Sequence, residues 1–274
     1  MNTMSERKPL LALKGVAQSY QLPRSGLFAP RTRLAVLDDI DFDVCAGEAV
    51  GLVGESGAGK TTLTRILTGV ERPQRGMVEF DSKDLWEASA AERATFRRSV
   101  QMVLQNPRSS LDPRMRIGTA LLEPLRSLRI EGDHTKRVYE VLDQVGLDRS
   151  ALQRFPHEFS GGQLQRIAIA RALMPNPRIL VADEPVSALD VSIQAQVLNL
   201  LKDLVRDLGL GLVFIAHDLS VVAYATSRVS VIAAGRIVEV GPPTALFTRP
   251  SASATRNLVD AVLTVESGLA GNAL

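Results

Sequence analysis

The run Gly54-Glu55-Ser56-Gly57-Ala58-Gly59-Lys60-Thr61, followed by Thr62, constrains this chain more than any other stretch. It fits the pattern G-x-x-x-x-G-K-[S/T], and its surroundings supply the context that the pattern requires. Ahead of it, residues 49–53 form a short unbroken apolar run, the mark of a strand buried on both faces. Behind it, Lys60 opens a helical stretch to about Thr68, with Gly69 as its stop. Glycines in such a turn let successive backbone N–H groups face inward as an anion-binding nest. The helix start aims its positive dipole end at the same point. Lys60 adds a mobile charge suited to the β- and γ-phosphates, and the Thr61 hydroxyl suits Mg²⁺. The implied ligands are a nucleoside triphosphate and Mg²⁺, held by residues 54–62.

Bulk properties narrow the field. The 274 residues and 45% hydrophobic content describe one large α/β domain, or such a domain with a helical insertion. The single cysteine, Cys45, excludes an internal disulfide framework and fits a reducing cytoplasm. A net charge of +2, with basic and acidic residues interspersed, argues against a nucleic-acid stripe, and 4% aromatics against base-stacking platforms. No nucleic-acid partner is expected. No apolar run approaches the roughly 18 residues of a membrane-spanning helix, and residues 1–13 lack a signal peptide's hydrophobic segment. A soluble protein is expected, reaching any membrane through a partner.

Along the chain, strands are expected at 10–16, 39–44, 49–53, 77–80, 100–104, 179–182 and 212–216, with a hairpin from 229–233 and 237–240. A loop rich in Pro, Arg and Gly is expected at 21–33. Ser89 and Glu92 have capping-box spacing ahead of a short helix, and Ser160 with Gln163 repeats it before a helix reaching Leu173. Between Gln105 and Phe159 strands vanish and helical patterns take over, at 117–128 and 135–145. Residues 191–208 read as an amphipathic helix whose buried face is Ile193, Val197, Leu200, Leu201, Leu204 and Leu208.

Two further elements carry chemistry. Ile179-Leu180-Val181-Ala182-Asp183-Glu184 is a buried strand delivering adjacent carboxylates at its C-terminal edge, where open α/β sheets bind ligands. Asp183 suits Mg²⁺, and Glu184 suits a general base or water orienter. Phe159-Ser160-Gly161-Gly162-Gln163 begins a helix whose first residues are glycines, each costing about 1 kcal/mol relative to alanine in a helix. That expense fits a second anion-binding helix start.

These elements together resemble the ABC ATPases, over about residues 10–241. The resemblance implies a P-loop NTPase core of the α/β class, with a mostly parallel sheet, an antiparallel β subdomain and an inserted helical subdomain at about 106–172. It implies ATP as the nucleotide, an ATPase domain over 1–248 and an extension over 249–274. Ser160, Gly161, Gly162 and Gln163 would contact the γ-phosphate held by a partner cassette. Gln105 resembles the Q-loop glutamine, which senses Mg²⁺ and the attacking water, and Ser187-Ala188-Leu189-Asp190 the D-loop. His217 is similar to the switch histidine, and Tyr20 to the aromatic that stacks on adenine. The catalytic set so implied is Glu184, His217 and Gln105, and the Mg²⁺ ligands Thr61, Gln105 and Asp183.

Residues 25–28, 105–113 and 155–158 look like the peptide and nickel import branch, specifically the second ATPase subunit of dipeptide and oligopeptide permeases. The implied partners are integral membrane permeases, a second ATPase subunit (paralogue or identical copy) and, indirectly, an extracytoplasmic solute-binding protein. The implied place is the cytoplasmic face of the inner membrane, peripherally. Residues 249–258 follow that branch's usual run only loosely, and the tail lacks iron–sulfur cysteines, so no cluster is expected. Other readings are nickel or small-solute import, a soluble ABC ATPase acting on ribosomes or DNA, and a P-loop kinase. The soluble ATPases carry doubled cassettes or long insertions, and a kinase needs no Ser-Gly-Gly-Gln helix.

Overall fold

The computed structural model describes residues 8–22 and 33–270. The expectation for 25–28 falls outside them. The chain opens with β1 (Leu11–Gln21), β2 (Arg33–Val44), β3 (Ala49–Val53), α1 (Lys60–Leu67), β4 (Arg75–Phe80) and a short β5 (Lys83–Asp84). There follow α2 (Ala90–Ser99), β6 (Val100–Val103), then α3 (Ile117–Ser127), α4 (His134–Val145) and α5 (Gly161–Leu173) without an intervening strand. β7 (Ile179–Asp183), α6 (Val191–Leu208), β8 (Gly211–Ala216) and α7 (Leu219–Ala225) come next. The hairpin β9 (Arg228–Ala233) and β10 (Arg236–Gly241) leads to α8 (Pro243–Thr248) and α9 (Ser253–Ala270).

Helix ends obey local chemistry. At α2 both arms of the capping box close, Ser89 N donating to Glu92 Oε2 at 2.9 Å and Glu92 N to Ser89 Oγ at 3.3 Å. Asp133 and Asp190 cap α4 and α6, which both end on left-handed glycines, Gly146 (φ 66°) and Gly209 (φ 65°).

The chain forms two compact units. The first takes in the described residues of 1–45, 50–88 and 216–274. It carries an antiparallel sheet in the order β2-β1-β4-β5. Leu11, Leu13, Val16 and Ile40 of that sheet, with Leu63 and Ile66 of α1, are buried in its core. Here too β3 runs parallel to β9, with Gly51 opposite Val229, and β10 returns antiparallel. The β9–β10 turn has positive φ at both Ala234 and Gly235, the type I′ choice whose twist matches a hairpin. A Cβ at Gly51 would sit 2.1 Å from Val222 Cγ1, so α7 packs directly on the bare backbone of β3.

The second unit takes in 46–49 and 89–215. Its strands β6, β7 and β8 are parallel, Val103 facing Ala182 and Val181 facing Val213. β8 is buried throughout, as a strand covered on both faces must be. The two sheets and the strand-free run α3–α5 agree with the expected α/β class.

Several expectations need correction. The first strand runs to Gln21 rather than 16, because Ser19 and Gln21 pair with Ala35 and Arg33 of β2. The loop expected from 21 therefore starts later, and Tyr20 sits on a strand. β6 ends at Val103, so Gln105 lies beyond it in a loop. On α6, Leu208 is 39% exposed and Ile193 half-buried, while Leu198 is buried. Leu208 immediately precedes the Gly209 cap, where the helix has run out of core to cover. Cys45 is buried, with no disulfide among the described residues. No helix among them is long and apolar enough to cross a membrane.

Candidate nucleotide site

In the first unit, β3 delivers the glycine-rich turn and α1 receives it. Gly57 (φ 81°) and Gly59 (φ 108°), the N-cap of α1, occupy left-handed backbone. The glycines do different things. A Cβ at Gly54 would lie 2.2 Å from Ile232 O, and one at Gly59 2.8 Å from Val36 O, so these two let the loop press onto neighbouring backbone. Around Gly57 nothing lies within 4 Å of such an atom, which leaves the outer edge of the loop bare. Lys60 Nζ donates to Gly54 O at 2.6 Å and Glu55 O at 3.0 Å, spanning the loop from its helical end. Thr61 is exposed and Thr62 is buried.

Tyr20 belongs to this unit, half-buried near the end of β1, with its hydroxyl donating to Glu71 Oε1 at 2.6 Å. His217 is exposed directly after β8. Its neighbour Asp218 is committed to capping α7, accepting from Ser220 N at 2.8 Å and Val221 N at 3.4 Å. A cleft of about 350 Å³ is lined by Glu55, Ser56, Gly57 and Ala58 together with residues of α9 that include Ser253 and Asn257.

In the second unit, three candidates meet. Asp183 closes β7 opposite Ile215, and Glu184 N continues the ladder to Ile215 O at 2.8 Å. Glu184 has φ 44°, left-handed backbone that costs a non-glycine residue about 1–3 kcal/mol and breaks the alternation of the strand. Gln105 Nε2 donates to Glu184 Oε2 at 2.7 Å, with Ser187 Oγ at 3.5 Å. Sequence separations of 79 and 82 residues hide this trio from local pattern reading.

The start of α5 has the geometry expected of it. Ser160 N donates to Gln163 Oε1 at 3.1 Å and Gln163 N to Ser160 Oγ at 3.3 Å. The glycines between them again differ. Gly161 is exposed, and an added Cβ would meet Leu189 Cδ2 at 3.4 Å, an ordinary contact. At Gly162 it would be 2.4 Å from Ile193 Cγ2. Only Gly161 thus leaves backbone open at this helix start, while Gly162 admits α6. Asp190, which caps α6, has its carboxyl held below the usual range by the Ile193 N–H and the Ser192 hydroxyl.

Missed by sequence reading were Glu71, a partner of Tyr20 found through pairing of remote segments, and the α9 residues lining the cleft. A turn glutamate and a tail helix carry no local mark of either role.

Comparison with known proteins gives consistent results. Residues 37–187 match the family model described as ABC transporter. A Brucella ovis protein named as a peptide import ATP-binding protein is 47% identical over 256 residues, 93% of this chain and 78% of that one. The glutathione import ATP-binding protein GsiA of Salmonella paratyphi A is 44% identical over 264 residues, 95% of this chain but 42% of that longer protein. Among solved structures, a dimeric ATP-binding cassette in a post-hydrolysis state with ADP and Pi is similar with a TM-score of 0.73 and 28% identity, covering 85% of this chain and 98% of that one. The cbiO1 cassette of Clostridium perfringens, part of an ABC transporter complex, gives 0.75 and 25%, over 88% and 91%.

Proposed function

This chain belongs to the ABC transporter family as an ATP-binding and hydrolysing subunit, and from that premise we propose that it powers import of peptides. Relatives named for peptide and glutathione import support that cargo class. The proposed cassette is 1–248 with a helical subdomain at about 106–172, and 249–274 is an extension. It works at the cytoplasmic face of the membrane, on permease subunits, with a second ATPase subunit and a solute-binding protein upstream.

The residues keep the roles that their chemistry fits. Backbone N–H groups of 54–62 bind the phosphates, Lys60 adds charge, and Tyr20 stacks on the base. Thr61, Asp183 and Gln105 would supply the oxygen donors for Mg²⁺, a hard cation that favours carboxylate, hydroxyl and amide oxygens. When bound, the ion neutralises charge on the β- and γ-phosphates. Glu184 orients the attacking water and takes up its proton, Gln105 fixes the carboxylate through its amide, and His217 steadies the γ-phosphate.

The observation carrying the two-cassette reading is Gly161. It is exposed, uncrowded and in a capped first turn, so its backbone can meet a phosphate held by another copy's 54–62 loop. The γ-phosphate is then the contact that favours the closed dimer, and hydrolysis releases it. Glu184→Gln tests this. It should bind ATP, lose most turnover and elute as an ATP-dependent dimer in size-exclusion chromatography. Normal turnover by the variant would remove Glu184 from its role.

A further inference from the structure

Glu71 lies in the turn after α1, and three side chains from different places converge on it. Tyr20 Oη donates to its Oε1 at 2.6 Å and Gln18 Nε2 to the same oxygen at 2.5 Å. Arg65 Nε lies 3.2 Å from Oε2, close enough for an ion pair although that oxygen has no aligned hydrogen bond. The Glu71 side chain is 15% exposed, so these are sheltered, charge-assisted contacts. The backbone that carries this side chain is itself anchored, since Glu71 N donates to Arg65 O at 3.1 Å. Gln18 is equally fixed, its Oε1 accepting from Gln74 N at 3.0 Å. A tyrosine near a strand end is thereby tied to the last turn of α1. That helix is eight residues, about 12 Å, from the lysine that begins it.

We propose that Glu71 is a positioning residue for nucleotide binding, which sets the ring plane of Tyr20 and couples the grip on the base to the helix that grips the triphosphate. The inference rests on the reading of Tyr20 as the base-stacking residue. A tyrosine held through its hydroxyl has lost its side-chain freedom before the base arrives, so binding does not have to supply that ordering. Freezing one such side chain corresponds to about a fivefold change in affinity. The effect should fall on base-containing ligands alone.

The experiment titrates the full chain and its Glu71→Ala, Glu71→Gln, Tyr20→Phe, Tyr20→Ala and Glu71→Ala/Tyr20→Phe variants with ATP and, separately, with inorganic tripolyphosphate. Glu71→Ala and Tyr20→Phe should each weaken ATP about fivefold, the double variant no further, and tripolyphosphate should bind all of them alike. Glu71→Gln, whose amide oxygen still accepts the phenol, should recover most of the loss and also serves should Glu71→Ala fail to fold. Equal loss toward tripolyphosphate would make Glu71 a mere brace for α1 and overturn the proposal. Unchanged ATP affinity in Tyr20→Phe and Glu71→Gln, with Tyr20→Ala impaired, would also overturn it while sparing the stacking role. Unchanged affinity in Tyr20→Ala would sink the stacking role, and the proposal with it.

Discussion

Replacing each glycine at the start of α5 by alanine separates a binding role from a packing role within two adjacent residues. At Gly162 the new Cβ falls 2.4 Å from Ile193 Cγ2. That methyl is attached to a β-branched carbon in a helix, where one χ1 rotamer dominates, so it cannot swing aside. Relief requires α5 and α6 to separate, and so close an approach puts the overpacking cost in the upper part of its usual range, about 2–3 kcal/mol. Helix propensity returns at most about 1 kcal/mol, leaving a net loss of about 1–2 kcal/mol. At Gly161 the nearest atom is 3.4 Å away, so Gly161→Ala should leave stability unchanged or raise it by up to about 1 kcal/mol. Thermal melts should place Gly162→Ala about 2–6 °C below the parent and Gly161→Ala at or slightly above it. Adding Ile193→Ala to Gly162→Ala should recover part of the deficit. ATPase assays should reverse the picture for Gly161→Ala, a well-folded protein with most of its turnover gone. Equal melting of the two variants, or full turnover in Gly161→Ala, would refute the division of labour.

Lys60→Ala should weaken a fluorescent ATP analogue about 10- to 100-fold, the worth of a charged hydrogen bond, and a Kd within twofold of the parent would contradict the phosphate role. At Glu239, burial opposes ionisation, but the nearby Thr255 hydroxyl and, with it, the N–H groups of Ser251 (2.9 Å) and Ala252 (3.0 Å) prevail and hold the carboxyl at about 2 against an ordinary 4.5. Its folded pKa is depressed, so its stabilisation is complete above about pH 4.5 and disappears as pH falls toward 2. Partial solvent access reduces its worth to about 1–2 kcal/mol. Denaturant midpoints for Glu239→Gln should therefore lie below the parent at pH 7 and converge with it near pH 2; a constant offset would rule this out.

What was legible in the sequence was local. Both capping boxes close over three residues, and α6 runs from Val191 to Leu208 as its periodicity required. Illegible features depend on partners far along the chain. Tyr20 stays extended because β2 pairs with it, and it finds Glu71 across 51 residues. The Gln105–Glu184 contact arises likewise from loops ending two strands. The different tasks of Gly161 and Gly162 could not be told apart without knowing where Ile193 lies.

The left-handed backbone at Glu184 also bears on how such a cassette could change over generations. Only a few side chains tolerate that conformation, asparagine, aspartate and glycine foremost, while β-branched residues are heavily disfavoured. Drift at this position is therefore funnelled toward residues that relax the turn and forfeit the glutamate's reach. If the proposed role of Glu184 holds, such a replacement removes turnover while easing the backbone, so loss of hydrolysis and loss of fold are separable at this position.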